Sequence, residues 1–284
     1  MFSCNDDPLT LQKSLESFID EWFQHEKPWS GVDEEKLNEV ELPQPLKWLY
    51  GFAGEWHGKP FYWSTLFAHQ DSLRGMEYLR KSEDGKLIFL DENQGMWQVA
   101  TEPTGENPPV WYRYEDNGEW WLVDESLSRF LVTFILFDSV CGCRFHAHGE
   151  NLIEKFKEAG MHVAPLWLNG PYTSADEDGT GHWTFSFYLA DGKYLIMKDD
   201  FCGTNIDEPW KQLPDIFQKE RVPSTLPSPD TFPLPKDYGI PPMVQKSILE
   251  RKIREHEEQA KYHSERGERY RKVIQKLNQL EADQ

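Results

Sequence analysis

Residues 86–132 read KLIFLDENQGMWQVATEPTGENPPVWYRYEDNGEWWLVDESLSRFLV, and this pattern decides the fold. Two short apolar runs, 87–90 and 96–100, flank Asp91-Glu92-Asn93-Gln94-Gly95. A second pair of runs, 110–114 and 120–123, flanks Glu115-Asp116-Asn117-Gly118-Glu119. Asn and Gly tolerate the positive φ that tight hairpin connections require. The stretch predicts four consecutive antiparallel strands in a meander. Ser126 stands where a helix N-cap belongs, ahead of Leu127, Phe130, Leu131 and Phe134 at helical spacing. Residues 127–137 are expected to form a helix that lays this one apolar face on the sheet.

Working outward, Leu42-Pro43-Gln44-Pro45-Leu46 opens a helix over 42–52 that closes near Gly51 or Gly54. Together with Glu92-Asn93-Gln94-Gly95 on its hairpin, Pro108-Pro109-Val110-Trp111 entering a strand and Leu127-Ser128-Arg129-Phe130-Leu131 opening the closing helix, it resembles the SUKH superfamily. That superfamily groups bacterial immunity proteins and a fungal cell-wall regulator. The resemblance covers residues 40–140, about a third of the chain. It implies an α+β domain that binds another protein, often a toxin, and brings no catalytic residues.

Further out, Leu11, Leu15, Phe18, Ile19, Trp22 and Phe23 form a helical stripe over 9–24, begun at Asp7-Pro8 and stopped by Pro28. Leu66, Leu73, Met76 and Leu79 suggest a third helix over 64–82. Beyond Gly142, residues 152–159 read as a short helix ending at Gly160, and 163–168 as a strand. Residues 182–189 and 194–198 flank Ala190-Asp191-Gly192-Lys193, and Asp-Gly between alternating runs is a strong hairpin signal. These later strands are expected to extend the first sheet, because ~70 residues make a marginal core alone. Residues 1–221 then form one α+β domain, with helices on one face of an antiparallel, mixed-edge sheet. Seven prolines make 222–242 an extended linker. Residues 243–284 read as one long helix with Glu250–Arg254 and Glu257–Lys261 pairs. Its heptad seam has apolar ends but holds His256, His263 and Gly267 in the middle, which allows weak self-association at most.

The chain of 284 residues carries a net charge of −19. Residues 241–284 hold ten basic and eight acidic side chains, leaving −21 on the rest. Such a body opposes nucleic-acid and anionic-membrane binding and suits a basic protein partner. No run approaches the ~18 apolar residues of a membrane span. Residues 1–11 show no basic stretch followed by an apolar run, so a secretory leader is not expected and the cytoplasm is the expected compartment. Cys4, Cys141, Cys143 and Cys202 are expected to be reduced thiols.

Cys141-Gly142-Cys143-Arg144-Phe145-His146-Ala147-His148 is the most metal-like segment. All four candidate ligands, two thiols and two imidazoles, lie on one short, strand-like stretch, whereas zinc sites usually draw on two separated pairs. Alternation would split them between two faces, so no metal and no cofactor are expected. His148-Gly149-Glu150 lacks the downstream Cys pair of a zinc deaminase. Cys202 paired with His146, His148 or His182 would be a thiol nucleophile without a recognisable motif. Asp176-Glu177-Asp178-Gly179 departs from the calcium-loop pattern. No catalytic residue is assigned, and an enzyme is not expected.

The aromatics carry the functional expectation. Trp97, Trp111, Trp120 and Trp121 crowd the meander, and strand neighbours alternate faces, so Trp120 and Trp121 point to opposite sides. Tryptophan ringed by charge is a common interface anchor. Glu92, Trp97, Trp111, Glu119 and Trp120 are the expected contacts of a non-catalytic binding module, an immunity-type protein that captures a toxin. A structural or regulatory adaptor using the acidic body and the last helix is the second reading. A metal protein or enzyme built on residues 141–148 is the third.

Overall fold

The Asp7 carboxylate accepts hydrogen bonds from the backbone N–H groups of Leu9 and Thr10, and Pro8 supplies a first helical residue with no N–H to satisfy. Helix α1 (Pro8–Trp22) starts there and buries Leu11, Leu15 and Ile19. The computed structural model describes residues 2–3, 5–24, 29–56, 66–92, 95–114, 118–173, 184–198 and 201–218. All of these fall in one compact unit. The linker expected over 222–242 and the helix expected over 243–284 lie outside the described residues.

After α1 come strand β1 (Trp29–Ser30), helices α2 (Glu34–Glu39) and α3 (Gln44–Ala53), and strand β2 (Glu55–Trp56), which pairs with β1. Strands β3 (Ser72–Leu73), β4 (Arg80–Lys81), β5 (Leu87–Asp91), β6 (Trp97–Thr101), β7 (Val110–Tyr114) and β8 (Trp121–Asp124) follow. They make the first sheet, in the order β3-β5-β6-β7-β8 with β4 also on β5. Then come α4 (Leu127–Cys141), β9 (Phe145–His148), α5 (Leu152–Glu158), β10 (Val163–Pro171), β11 (Thr184–Ala190), β12 (Tyr194–Met197) and β13 (Phe201–Thr204). The second sheet runs β10-β11-β12-β13-β9. Every ladder in both sheets is antiparallel, and the class is α+β.

The expected meander is present as β5 to β8, each strand paired with the next. Gly95 and Gly118 hold φ of 75° and 67°, conformations that a side chain makes costly. The β11–β12 connection, Asp191 to Lys193, places Asp191 and Gly192 at φ 46° and 69°, the left-handed values that tight hairpin turns call on Asp and Gly to adopt. Ser126 caps α4 through its side chain, which accepts from the Arg129 N–H at 3.3 Å.

Helix α4 corrects the expectation of one apolar face. Phe130 and Phe134, as expected, are fully buried, but so are Val132, Ile135 and Leu136. Its two sides meet different sheets. Phe130 stands edge-on to Phe89 of the first sheet at 6.0 Å, while Phe137 stacks on Phe185 of the second at 5.0 Å. The Trp167 indole N–H of β10 donates to Thr133 Oγ1 at 2.9 Å. A helix apolar all round is one that is buried all round.

Three further expectations change. Residues β9 to β13 do not extend the first sheet; they form the second, on the other side of α4. Within 64–82, the described residues 66–82 are not an α-helix but β3, a 3₁₀ turn at Met76–Tyr78 and β4. The backbone there finds acceptors elsewhere: Asp138 Oδ1 takes the N–H groups of His69 and Gln70 at 2.8 and 3.0 Å. Leu73 N–H goes to Phe67 O and Arg74 N–H to Phe89 O. With those groups satisfied by tertiary contacts, the helical spacing of the leucines loses its force. Finally, residues 141–148 are not one strand. Cys141 is the last residue of α4, Gly142 closes the helix with its N–H on Asp138 O, and only 145–148 are extended.

Candidate partner-binding surface

Alternation along β6 and β7 assigns the two faces of the first sheet. Trp97, Val99, Tyr112 and Tyr114 share the α4 side, and Trp121 joins them against the main core. The outward face holds the row Ile88, Ala100, Trp111 and Leu122, read across the ladders from β5 to β8. That row runs from closed to open: Ile88 and Ala100 are 1% and 0% exposed, Trp111 is half-buried, and Leu122 is 40% exposed. The open part of the face therefore lies over β7 and β8.

Two cations lie on two indoles there. Lys86 Nζ sits 4.0 Å from the centre of the Trp111 ring and 3.5 Å from Glu102 Oε1. The Arg113 guanidinium sits 4.4 Å from the centre of the Trp120 ring, with one amino group 3.4 Å from Gln98 Oε1. A cation over an indole face is attracted by the ring quadrupole, most strongly for Trp. The Trp120 N–H also donates to Asp84 Oδ1 at 3.2 Å. The Ser82 hydroxyl chiefly, and the Trp120 N–H to a smaller degree, hold the Asp84 carboxyl below its ordinary value. Glu119 is exposed beside Trp120.

The five expected contacts are thus divided. Trp111, Glu119 and Trp120 come together at the β7–β8 side, and neither of those two indoles belongs to an apolar core. Trp97 is on the opposite face, packed edge-on to buried Tyr172 at 6.0 Å. Glu92 is half-buried in the β5–β6 hairpin, where its carboxylate accepts from the Met96 N–H at 3.1 Å. Lys86, Arg113 and Leu122 are the members that the sequence reading missed. Alternation alone places Arg113 on the Trp111 side, so the signal was present and only the indole-capping role was not.

Elsewhere, buried polar groups serve the fold. Asp138, wholly buried in α4, adds a contact from its Oδ2 to His69 Nδ1 at 3.0 Å. The Tyr172 hydroxyl donates to Asp71, and burial first, then that carboxylate, pushes the phenol well above its usual range. These groups tie residues 69–72 to α4 and to the end of β10. Burial also raises the Cys141 and Cys202 thiols to about 12, far from a ready nucleophile. The β9–β13 register puts Cys202 beside Ala147 on one face, and His146 and His148 with Phe201 on the other. The strand pair thereby separates that thiol from those imidazoles; His182 lies outside the described residues, as does the stretch 176–179. Among the described residues no group of three or more His, Cys, Asp and Glu is placed to hold a metal ion.

A groove of about 570 Å³ also opens between α1 and α3. Buried Leu11, Leu15, Pro45 and Leu131 line it, with exposed Asp7 and Glu106 at its margin. Among the described residues no helix is long and apolar enough to cross a membrane. No family model matches the chain, and no curated protein or solved structure matches it.

Proposed function

We propose that this chain is a non-catalytic binding module that captures a basic protein through the outward face of β7 and β8. The observation that carries this reading is the placing of Trp111, Trp120 and exposed Leu122 on one sheet face, outside both apolar cores. Indoles anchored by hydrogen bonds and cations lose little entropy when a partner covers them, which favours their use as anchors. Asp84, Glu102 and Glu119 surround them, and a net charge of −19 steers a basic partner toward the surface. The likeness of residues 40–140 to the SUKH superfamily supports an immunity role, in which the module covers the working surface of a toxin and blocks it by occlusion.

The test is pull-down and binding kinetics of the full chain against candidate basic toxins, with Trp111→Leu and Trp120→Leu beside the unmodified chain. Association should slow as salt rises, since screening weakens steering. Each leucine variant should speed dissociation while leaving the fold intact. Undiminished binding by both variants would move the interface off this face.

A further inference from the structure

We infer that the β7–β8 face recognises arginine and lysine side chains of its partner by exchange, the incoming cations displacing Arg113 from Trp120 and Lys86 from Trp111. This rests on the proposed binding role of the face and adds what the face reads. Both indole faces are already occupied by a cation of the chain itself, at 4.4 and 4.0 Å from the ring centres. Each cation is packed against its ring, the Lys86 side chain only 18% exposed, but its polar contacts are long: the Arg113 amino group meets an uncharged Gln98 oxygen at 3.4 Å, and Lys86 meets Glu102 at 3.5 Å. Both separations exceed the 2.7–2.9 Å of a strong charge-assisted bond. Asp84, which accepts from the Trp120 N–H, places a carboxylate beside that ring with which an incoming guanidinium can pair while it stacks. The internal cations thus keep the indoles dry and oriented in the free protein, and act as competitors that set a threshold for the partner. A lone lysine gains nothing by replacing another; a segment delivering several cations at once gains through their linkage.

A labelled octa-arginine peptide, followed by fluorescence anisotropy against the full chain, tests the exchange, with octa-glutamate as the opposite-charge control. Arg113→Met keeps an apolar stem but removes the competitor. It should bind octa-arginine about two- to fivefold tighter, the worth of one exposed cation–π contact. Removing any positive charge from an acidic protein also tightens binding, so the deciding measurement is a double-mutant cycle. In the Trp120→Leu background the Arg113→Met gain should fall to the smaller part that loss of a charge supplies by itself, because no indole is left to be vacated. An equal gain in both backgrounds means that charge alone acts and overturns the exchange, while leaving the face itself in place as the binding site. Octa-arginine binding that is unchanged in both Trp111→Leu and Trp120→Leu overturns the face reading and the exchange together. Tighter binding of octa-glutamate than of octa-arginine does the same. Lys86→Met, acting on Trp111, repeats the measurement at the second ring should Arg113→Met fold poorly.

Discussion

The two sheets share one helix and differ in what covers their other faces. On the second sheet, Leu195 and Phe187 enter the core around α4, while Tyr194, Ile196 and Cys202 on the reverse face join Phe156 of α5 with Leu213 and Phe217 in a second core. That sheet is apolar on both sides. The first sheet sends Phe89, Val99 and Tyr112 toward α4, but Trp111, Arg113 and Trp120 on its reverse face enter neither core. A sheet with two cores has spent both faces on stability. One with a single core keeps a face whose aromatic groups are held by cations and hydrogen bonds, and these are contacts that a partner can replace.

The largest effect should come from breaking the shared layer. Phe130 is wholly buried, edge-on to Phe89 and stacked on Tyr172 at 5.8 Å. Phe130→Ala should cost about 3–5 kcal/mol, and hydrogen exchange should show lost protection in both sheets. Phe156, equally buried but in the outer core, touches Tyr194 at 5.1 Å. Phe156→Ala should lower protection on α5 and the second sheet first and leave β5–β8 slow to exchange. Loss of protection confined to the second sheet in Phe130→Ala would break the picture of α4 as the common layer.

A smaller effect should follow from crowding the contact between α4 and the second sheet. A methyl on Gly170 would stand 2.0 Å from Trp167 Nε1 and 2.2 Å from Thr133 Oγ1. The β10–β11 ladder shifts register on either side of Trp167, and these bulges let the indole reach Thr133. Gly170→Ala should destabilise by about 1–3 kcal/mol, the usual range for overpacking, read by urea denaturation. A change near zero would mean that Trp167 swings aside freely and that the bulges do not fix it.

Much of the first sheet was legible in sequence, because short-range signals specify it: glycines at positive φ, two-residue periodicity and a serine cap. Of the second sheet, β10, β11 and β12 were legible in sequence, but β13 was not, and neither was the sheet's location. Which side of α4 it takes is a long-range matter, and the clue was indirect: Val132, Ile135 and Leu136 needed a second apolar neighbour. Residues 66–82 depart from the helical expectation because Leu73 and Met76 repeat at helical spacing while the N–H groups of His69, Gln70 and Arg74 around them are claimed by Asp138 and Phe89, contacts distant in sequence. Of the candidate surface, the tryptophans stood out by type, but Trp97, named with the contacts, lies on the core side of the sheet. Strict alternation from Trp97 to Trp111 requires knowing the β6–β7 register, which pairs Trp97 with Tyr114 and Ala100 with Trp111.

The reverse face should answer differently to truncation. Trp120→Leu removes a half-buried ring that lies in neither core, so its cost should be about 1 kcal/mol or less, well below that of Phe130→Ala. Thermal unfolding gives the comparison. A loss as large as that of Phe130→Ala would show that the outward face carries the fold and is not available for exchange.

The smallest effect is a proton affinity, and it reports directly on how Trp120 is held. Asp84 lies below its ordinary value of 3.8 mainly through the Ser82 hydroxyl, and in lesser part through the Trp120 N–H. The sign follows from the depressed value: the unfolded chain binds the proton more tightly. The contribution of this carboxylate to stability is therefore present above pH 3.8 and fades as pH falls through the lower folded value. Titration of the Asp84 carboxyl by NMR should show its value rising part of the way toward 3.8 in Trp120→Leu and further in Ser82→Ala. Should Trp120→Leu leave the titration untouched, the indole is not held by Asp84 in solution. Its face would then be positioned by Arg113 alone, and Arg113→Met would free the ring to turn as well as to bind.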